Sequence, residues 1–259
     1  MSFDLAVIGG GPAGVSAALR ARELGATAAL VERTRLGGTC TNDGCVPTRV
    51  LAHVARLVRD AEQFRGYGLT GASPGVDFPA VLARTREMVE AVHAKKQLEQ
   101  HLADAGVQLI PGAARFVDPR TLETDAGQSV RASSFVICVG GHPRRLAFPG
   151  ADLALTHSDV WSLQGLPGSI VIVGGAATGC QLASVFAAFG SAVTLLELAP
   201  RLLPNEDAAV SSALTAALGG RGIALHTGID GVDSIERAGR DGRLTLHYRD
   251  GGTAATVEA

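Results

Sequence analysis

The amino-acid sequence predicts an α/β protein with two domains, each built around a parallel sheet. The chain has 259 residues, a length that two domains fill comfortably. Hydrophobic residues make up 46% and charged residues 19% of the chain, so it can bury a sizeable core. An apolar run, a glycine-rich turn, a helix-like stretch and a second apolar run occur in that order twice, from Leu5 and again from Ile170. Such a repeat is typical of duplicated βαβ units.

The composition also excludes several classes of protein. The 23 basic and 25 acidic residues give a net charge of −2, which lacks the basic surface expected for a nucleic-acid partner. Four cysteines are too few for a secreted disulfide scaffold. The N-terminus lacks the basic start of a signal peptide, and the uncharged residues 160–196 are interrupted by Pro167 and six glycines. We therefore expect a soluble, cytoplasmic protein with no membrane partner.

The first repeat carries a dinucleotide-binding pattern. The apolar run Leu5–Ile8 leads into Gly9, Gly11 and Gly14, which fit G-x-G-x-x-G, and the second apolar run ends at Glu32. Gly9 permits the turn, Gly11 lets backbone approach a pyrophosphate, and Gly14 lets the helix pack closely on the strand. The helix N-terminus favours phosphate, and the carboxylate can accept from ribose hydroxyls. The pattern predicts a Rossmann-like unit; the alternative is a glycine turn without a ligand.

The second repeat resembles the first, but its dinucleotide-binding pattern is less complete. Gly174, Gly179 and Glu197 match the corresponding glycines and acid of the first repeat, whereas Ala176 stands at the position of Gly11. The methyl group of this alanine lies where a pyrophosphate should approach. A carboxylate at the strand end repels a 2′-phosphate, so NADH is favoured over NADPH. The alternative is a domain that packs but binds a nucleotide poorly.

The repeat also sets the expected domain boundaries, 1–150 and 151–259. In the first domain, residues 121–131 form a predicted hairpin, and the apolar strand Phe135–Val139 follows it. In the second domain, residues 244–257 form the matching hairpin, and the sequence stops where the matching apolar strand would begin. We therefore expect the second Rossmann-like domain to be incomplete. A long predicted helix covers residues 77–105.

Cys40 and Cys45 form the strongest local signal. Five residues on a regular helix give ~7.5 Å of rise and ~140° of rotation, and a straight strand separates the ends by ~16 Å. Neither arrangement brings two sulfurs together readily, so pairing requires an irregular turn, which residues 42–44 can supply. Pro47 suits the first turn of a helix, which places Cys45 at a helix N-terminus where the thiolate is favoured. A bridge closing so short a loop adds little stability, so a redox role is favoured.

Two alternatives for the cysteines stay open. They could be buried free thiols, or they could be zinc ligands. Zinc sites usually have ligands two to four residues apart with further Cys or His nearby, whereas Cys138 and Cys180 fall on an apolar strand and a helix. We therefore expect no metal site.

Taken together, these motifs resemble the class I pyridine nucleotide–disulfide oxidoreductases, a flavoprotein family that includes dihydrolipoamide dehydrogenase, glutathione reductase and mercuric reductase. The resemblance spans essentially the whole chain. It is carried by Gly9–Gly14, Glu32, Gly37–Arg49, Val136–Pro143 and Val171–Glu197.

The resemblance implies FAD on the first unit and NAD on the second, with NADH favoured. Cys45 would be the flavin-proximal thiolate, and Cys40 the interchange thiol that meets the substrate. The candidate FAD residues are then Gly9, Gly11, Pro12, Ala13, Gly14, Glu32, Arg33, Gly38, Thr39, Arg49, Ala114 and Gly140. The candidate nicotinamide-nucleotide residues are Gly174, Gly175, Gly179 and Glu197.

The sequence also departs from the family pattern. Arg49 replaces a usual lysine near the flavin, Gln181 a common glutamate, and Cys138–Gly140 the usual Ala-Thr-Gly. The resemblance implies a homodimer, whose C-terminal interface domain with its catalytic His–Glu pair has no counterpart here. None of the chain's histidines matches that position; they are His53, His93, His101, His142, His157, His226 and His247.

The resulting hypothesis is an oxidoreductase that passes electrons from NAD(P)H through FAD to the Cys40–Cys45 disulfide and on to a small thiol or disulfide acceptor. Two alternatives are a truncated, noncatalytic FAD- and NAD-binding fragment, and a diaphorase or oxidase that does not use the thiols.

Overall fold

The computed structural model describes residues 2–72, 74–238 and 242–259. The chain divides into two compact units, each described here by itself. Unit 1 contains Met1–Arg49 and Arg84–His142, and unit 2 contains Val50–Ala83 and Pro143–Ala259. Residues 50–83 are thus grouped with the second unit, and the expected boundaries at 1–150 and 151–259 stay a prediction.

Unit 1 is an α/β unit on one sheet, and the helices that begin or end in it are α1 to α5. Its strands are β1 (Ser2–Ile8), β2 (Ala28–Glu32), β3 (Gln108–Pro111), β4 (Ala114–Asp118), β5 (Thr121–Thr124) and β6 (Ser129–Ile137). The helices are α1 (Pro12–Glu23), α2 (Gly38–Asn42), α3 (Cys45–Glu62), α4 (Phe78–Lys96) and α5 (Leu98–Asp104). A short 3₁₀ helix, Phe64–Tyr67, follows α3.

The six strands of unit 1 form one sheet in the order β3-β2-β1-β6-β5-β4. At the centre, Val7 of β1 lies between Leu30 of β2 and Val136 of β6, with all three strands parallel. This arrangement explains the continuous apolar runs, because a parallel strand whose sheet is covered on both faces buries successive side chains on both sides. The carboxyl ends of β1, β2 and β6 therefore share one edge of the sheet, which is where ligands bind in such folds.

Two predicted elements differ from the structure in unit 1. The hairpin strand and the apolar strand Phe135–Val139 are one element, since β6 pairs with β5 at its start and with β1 along its length. The predicted helix over residues 77–105 is two helices, because Gln97 between them adopts φ +45°. A backbone in that left-handed region ends the regular helix.

Unit 2 repeats the parallel βαβ arrangement and adds a separate antiparallel sheet. Its parallel sheet has the order β7-β8-β9 and its antiparallel sheet the order β10-β11-β12. The elements are β7 (Ser169–Val173), α6 (Ala177–Phe189), β8 (Ala192–Glu197), α7 (Ala208–Gly219), β9 (Ala224–Thr227), β10 (Gly231–Ala238), β11 (Arg243–Asp250) and β12 (Thr253–Glu258). Two 3₁₀ helices, Ala151–Leu153 and His157–Ser162, precede β7.

The main core of unit 2 is built from α6 and β8 with helical residues from earlier in the chain. Phe186 is fully buried, and its ring centroid lies 6.2 Å from that of Phe78. Leu51 and Leu195 belong to the same cluster. The burial of these large side chains explains why residues 50–83 group with unit 2, since each such side chain contributes about 1.5–3 kcal/mol on burial.

The stretch of residues 160–196 folds as a sequence of short elements. It contains the end of a 3₁₀ helix, then β7, α6 and most of β8. Among the described residues, no helix has the length and apolar character needed to cross a membrane.

Candidate functional site

The glycine turn after β1 is shaped by backbone contacts that side chains would prevent. Gly9 adopts φ +104°, and a Cβ atom there would lie 2.3 Å from the carbonyl oxygen of Cys138. A Cβ atom on Gly14 would lie 1.8 Å from the carbonyl oxygen of Gly9. These two glycines therefore let α1 begin directly against the strand end. Gly11 is different, because a Cβ atom there would meet only the α-carbon of Gly38, at 3.7 Å.

The carboxylate of Glu32 fastens this turn from the end of β2. Its Oε2 accepts from the backbone N–H of Gly10 at 2.6 Å, and its Oε1 accepts from the backbone N–H of Thr34 at 2.8 Å. Oε1 also accepts from the hydroxyl of Thr34 at 3.1 Å. A carboxylate has about four acceptor sites, so Oε2 keeps capacity for a further donor. Glu32 thus holds the turn and still presents an acceptor at the sheet edge.

The second glycine turn reproduces two contacts of the first, but a Cβ atom on Gly174 would meet none of the described residues within 4 Å, unlike a Cβ atom on Gly9. A Cβ atom on Gly179 would lie 1.9 Å from the carbonyl oxygen of Gly174. Glu197 accepts from the backbone N–H of Gly175 at 2.5 Å and from that of Ala199 at 2.7 Å. Ala176 caps α6 with φ −77° and ψ −177°, nearly the φ −73° and ψ −179° of Gly11 at the start of α1. The contacts of Gly14 and Glu32 are therefore repeated in unit 2, whereas the close approach of Gly9 to Cys138 is not.

The cysteine-bearing turn packs directly on the first glycine turn. Gly38, the first residue of α2, adopts φ +60°, and a Cβ atom there would lie 2.8 Å from the α-carbon of Gly11. The backbone N–H of Gly37 also donates to the carbonyl oxygen of Gly10 at 2.8 Å. These contacts place the short helix that carries Cys40 at the mouth of the glycine turn.

Cys40 and Cys45 lie side by side as free thiols. The thiol of Cys40 is hydrogen-bonded to Cys45, although five residues separate them. The irregular turn that makes this possible ends α2, where the N–H groups of Asp43 and Gly44 both donate to the carbonyl oxygen of Thr39, at 2.9 and 2.6 Å. Cys45 is the first residue of α3 and is exposed, whereas Cys40 is half-buried.

Groups around Cys40 both raise and lower the pKa of its thiol. The hydrogen bond to Cys45, burial and the Cys45 charge together raise the pKa of the Cys40 thiol. The positive charges of Lys96 and Arg49 oppose this and lower the pKa. Two cationic side chains therefore stabilise a thiolate at Cys40, against a partner thiol that favours the protonated form.

Two side chains of α4 fasten the cysteine turn, and the sequence analysis missed both. Lys96 donates from Nζ to Oγ1 of Thr41 at 2.8 Å, and Nε2 of His93 lies 2.7 Å from Oδ1 of Asn42. Thr41 is fully buried. The three-residue spacing puts His93 and Lys96 on one face of the helix, a weak signal that the sequence alone does not connect to residues 41 and 42.

The other candidate residues of unit 1 are spread over several elements. Arg49 is exposed on α3 and acts electrostatically on Cys40, and Gly140 follows the segment that contacts Gly9. Ala114 begins β4, two residues after Gly112, whose N–H donates to the carbonyl oxygen of Glu32 at 2.9 Å. Arg33, Thr39, Pro12 and Ala13 are exposed.

Unit 2 contains a cleft of about 620 Å³ beside its glycine turn. Ile170 and Ile172 of β7 line it, together with Leu246 of the antiparallel sheet, and the cleft reaches Gly174 and Ala176. The side chains are largely apolar, as in sites that take small organic ligands. Of the four candidate nicotinamide-nucleotide residues, Gly174 and Gly179 line this cleft, whereas Gly175 and Glu197 are not among its lining residues.

The remaining cysteines do not join a site. Cys180 is buried in α6 and donates from Sγ to the carbonyl oxygen of Gly175 at 3.2 Å, and its burial raises the pKa of the thiol. Cys138 is half-buried beside Gly9. Among residues 2–72, 74–238 and 242–259, no group of three or more His, Cys, Asp and Glu side chains could hold a metal ion.

Comparison with known proteins connects this geometry to a family. A family profile described as pyridine nucleotide-disulphide oxidoreductase matches residues 3–257. The chain is 34% identical to dihydrolipoyl dehydrogenase of Zymomonas mobilis, with 94% of this chain and 55% of the relative covered. It is 32% identical to mercuric reductase of Bacillus cereus, with 99% of this chain and 40% of the relative covered.

A solved structure shares the fold. The HOCl-induced flavoprotein disulfide reductase RclA from Escherichia coli aligns with a TM-score of 0.78 and 27% identity, over 98% of this chain and 54% of that one. The chain spans about half the length of these relatives. Since the family profile covers nearly all of the sequence, the chain belongs to the pyridine nucleotide-disulphide oxidoreductase family.

Proposed function

We propose that this chain is the nucleotide- and cysteine-bearing part of an FAD-dependent, NAD(P)H-linked disulfide oxidoreductase that passes electrons to Cys40 and Cys45 and on to a thiol or disulfide acceptor. The observation that carries the proposal is the hydrogen bond of Cys40 to Cys45, because Cys40 lies on the short helix α2, whose first residue, Gly38, packs against Gly11 of the glycine turn.

The residues of the first turn fit a dinucleotide such as FAD. A Cβ atom on Gly11 would meet no side chain, so the space beside its backbone is open to a phosphate. Within the part of the chain that the structure describes, no side chain caps α1, so the N–H groups of its first turn remain suited to an anion. Glu32 would accept from a ribose hydroxyl, and the segments at Ala114 and Gly140 would contact the adenine and flavin ends. When bound, FAD would supply two-electron transfer between a reduced nicotinamide and the sulfur pair.

For the second turn we propose NAD, with NADH favoured over NADPH. Glu197 presents a carboxylate at the end of β8, where it would accept from ribose hydroxyls and repel a 2′-phosphate. Gly174, Gly175 and Gly179 would bring the backbone close to the pyrophosphate, although the methyl of Ala176 reduces the space available.

The proposed reaction of the cysteine pair balances in atoms and electrons with NAD(P)H, one proton and an acceptor disulfide. One NAD(P)H, one proton and the Cys40–Cys45 disulfide give NAD(P)⁺ and two thiols. The Cys40 thiolate then attacks one sulfur of an acceptor disulfide, which forms a mixed disulfide and releases the first acceptor thiol. Cys45 attacks the Cys40 sulfur, which restores the protein disulfide and releases the second acceptor thiol. The cysteine protons leave with the two acceptor thiols.

The test uses the purified chain incubated with FAD, freed of unbound flavin and supplied with NADH and the disulfide 5,5′-dithiobis(2-nitrobenzoate). We expect a flavin absorbance spectrum and NADH oxidation with release of the aromatic thiol. Cys40→Ser abolishes thiol release but keeps the bound flavin. The matched control is Cys138→Ser, which removes a thiol outside the pair and leaves the reaction unchanged.

The two alternatives predict different outcomes. A chain that takes up FAD but releases no aromatic thiol when NADH is supplied is the noncatalytic fragment, and a chain that stays colourless after incubation with FAD does not hold the flavin. The proposal fails in either case. Full thiol release in Cys40→Ser would show that the pair is not used, as in a diaphorase or oxidase. Undiminished electron transfer from NADH to a quinone in that variant would support the same conclusion.

The proposal extends to partners and location. The acceptor would be a small molecule with a thiol or disulfide, and the whole protein would work as a homodimer, as the resemblance to the family implies. A cytoplasmic location fits a pair that cycles between disulfide and dithiol, since reducing compartments keep structural disulfides rare.

A further inference from the structure

The last residue of α4 makes an unusual contact for a lysine. Lys96 is half-buried and donates from Nζ to the hydroxyl of Thr41, which is fully buried in the short helix α2. A surface lysine ordinarily keeps its ammonium in water, because its flexible stem loses entropy when the head is fixed. Here a rigid, buried acceptor holds the ammonium in one place.

That place is next to the interchange cysteine of the proposed function. Thr41 directly follows Cys40 in the chain, and the ammonium of Lys96 interacts with Cys40 electrostatically. The groups that act on Cys40 are Cys45, Arg49 and Lys96. Arg49 is exposed, so solvent screens it more strongly than the half-buried Lys96.

A second contact from the same helix supports the position of the turn. Asn42 donates from Nδ2 to the carbonyl oxygens of Arg35 and Leu36, both at 3.2 Å, which leaves Oδ1 facing Nε2 of His93. Since Oδ1 only accepts, Nε2 carries the proton in this contact. Thr41 and Asn42 are therefore held by Lys96 and His93, which lie three residues apart on one face of α4.

We propose that Lys96 is a positioning residue for the cysteine pair: its hydrogen bond to Thr41 fixes a positive charge beside the turn that carries Cys40, and this charge favours the Cys40 thiolate. The inference depends on the proposed function for its catalytic meaning, because a thiolate at Cys40 is the form that attacks an acceptor disulfide. Its test does not depend on bound flavin or nicotinamide.

The experiment measures how fast iodoacetamide alkylates Cys40 in the reduced 259-residue chain over a series of pH values. Trypsin releases residues 36–49 as one peptide that contains both cysteines, and fragment ions assign the label to Cys40 or Cys45. In Lys96→Met we expect the midpoint of the Cys40 rate profile to rise by about half a pH unit, so that alkylation at pH 7.5 slows by about threefold. Lys96→Arg keeps the charge and stays within about twofold of the unmodified chain.

Lys95→Met is the matched control. It removes the same charge from the neighbouring position of the same helix, where the side chain is exposed and points about 100° away. We expect no shift of the Cys40 midpoint. An equal shift in both variants would mean that net charge alone is responsible, and it would overturn the inference.

A second variant separates positioning from folding. Thr41→Val keeps the buried shape and removes the acceptor, so the ammonium stays in the chain but is no longer fixed. We expect the Cys40 midpoint to shift in the same direction as in Lys96→Met, with far-ultraviolet circular dichroism confirming that the variant is folded. An unshifted midpoint in folded Thr41→Val or Lys96→Met overturns the inference and leaves the proposed function intact. Failure to bind FAD would overturn the proposed function and leave this test intact.

Discussion

A methyl group on Gly38 would lie 2.8 Å from the α-carbon of Gly11, closer than real Cβ atoms approach a backbone. The first residue of the cysteine-bearing helix is thus in contact with the glycine turn. The contact explains why two motifs that are separated by more than twenty residues of sequence form one site. It also identifies the position at which the smallest substitution should have a large effect.

Gly38→Ala should destabilise unit 1 and disturb the cysteine pair. The new methyl group meets backbone rather than a flexible side chain, and the residue adopts φ +60°, which is unfavourable for alanine. We expect the free energy of unfolding to fall by about 2 kcal/mol or more, measured by denaturant titration. The control is Gly66→Ala, where an added Cβ atom has no neighbour within 4 Å and φ is not positive. Equal stability of the two variants would contradict the close approach.

Gly11→Ala should affect FAD and leave the fold unchanged. The residue has φ −73°, which alanine adopts freely, and the new methyl group meets only an ordinary contact at 3.7 Å. We expect the unfolding free energy to change by less than about 0.5 kcal/mol, because no steric or strain cost arises. FAD affinity, measured by fluorescence quenching of the free flavin, should fall by about tenfold or more, since the methyl group obstructs the pyrophosphate. Unchanged affinity would mean that FAD binds elsewhere.

Ala176→Gly tests the same position in the second turn. Its backbone matches that of Gly11, so the substitution opens space without changing the conformation. We expect NADH to bind several-fold more tightly, measured by isothermal titration calorimetry, because the pyrophosphate gains the room that glycine provides in the motif. NADPH should gain no more than NADH, since Glu197 still opposes a 2′-phosphate. Unchanged or weaker NADH binding would refute the role given to this methyl group.

The sequence was sufficient to predict the parts of the site whose geometry is local. Gly14 and Glu32 act through contacts within their own repeat, and the same contacts recur in unit 2 at Gly179 and Glu197. The Cys40–Cys45 turn was predictable for the same reason. The approach of Gly9 to the carbonyl oxygen of Cys138 joins distant parts of the sequence and does not recur at Gly174.

The contacts that His93 and Lys96 of α4 make with the cysteine turn could not be predicted in this way. Which face of a helix meets residues 41 and 42 depends on how the helix packs, and the periodicity of residues 77–105 does not carry that information. The same limit explains the missed break at Gln97, a residue with no special tendency toward positive φ, and the merging of two predicted strands in β6. His93 was accordingly given no role from the sequence, although it contacts Asn42.

The stability of unit 1 should depend on the protonation of His93. Burial, chiefly, and the charges of Arg35 and Lys96 lower the pKa of His93 below 6.5, while Glu90 and Glu99 act in the opposite direction. A folded-state pKa below the unfolded value means that the unfolded chain binds more protons, so stability is complete above about pH 6.5 and falls as the pH drops through that value.

We therefore expect the unfolding free energy to decrease between pH 7.5 and 5.5 by more in the unmodified chain than in His93→Gln. Glutamine keeps an N–H donor for Asn42 but does not titrate, and all carboxylates respond alike in both proteins. The comparison is made by urea titration at each pH, and equal pH dependence in the two proteins would contradict the prediction.

Glu32 and Glu197 should each contribute to stability, because they hold equivalent turns. Each carboxylate accepts a hydrogen bond from the backbone N–H of the second glycine of its turn, Gly10 or Gly175. Each also accepts one from the residue two positions after the glutamate itself, Thr34 or Ala199. Alanine at either position leaves the glycine N–H without this partner, which costs about 1–3 kcal/mol for a buried donor. We expect Glu32→Ala and Glu197→Ala to lower the unfolding free energy by that amount in chemical denaturation without any nucleotide. Glu23→Ala is the control, because Glu23 pairs with Arg20 at an exposed site and its loss should cost less than about 0.5 kcal/mol. A loss at Glu32 or Glu197 no larger than at Glu23 would mean that these carboxylates serve the ligand alone and not the turn.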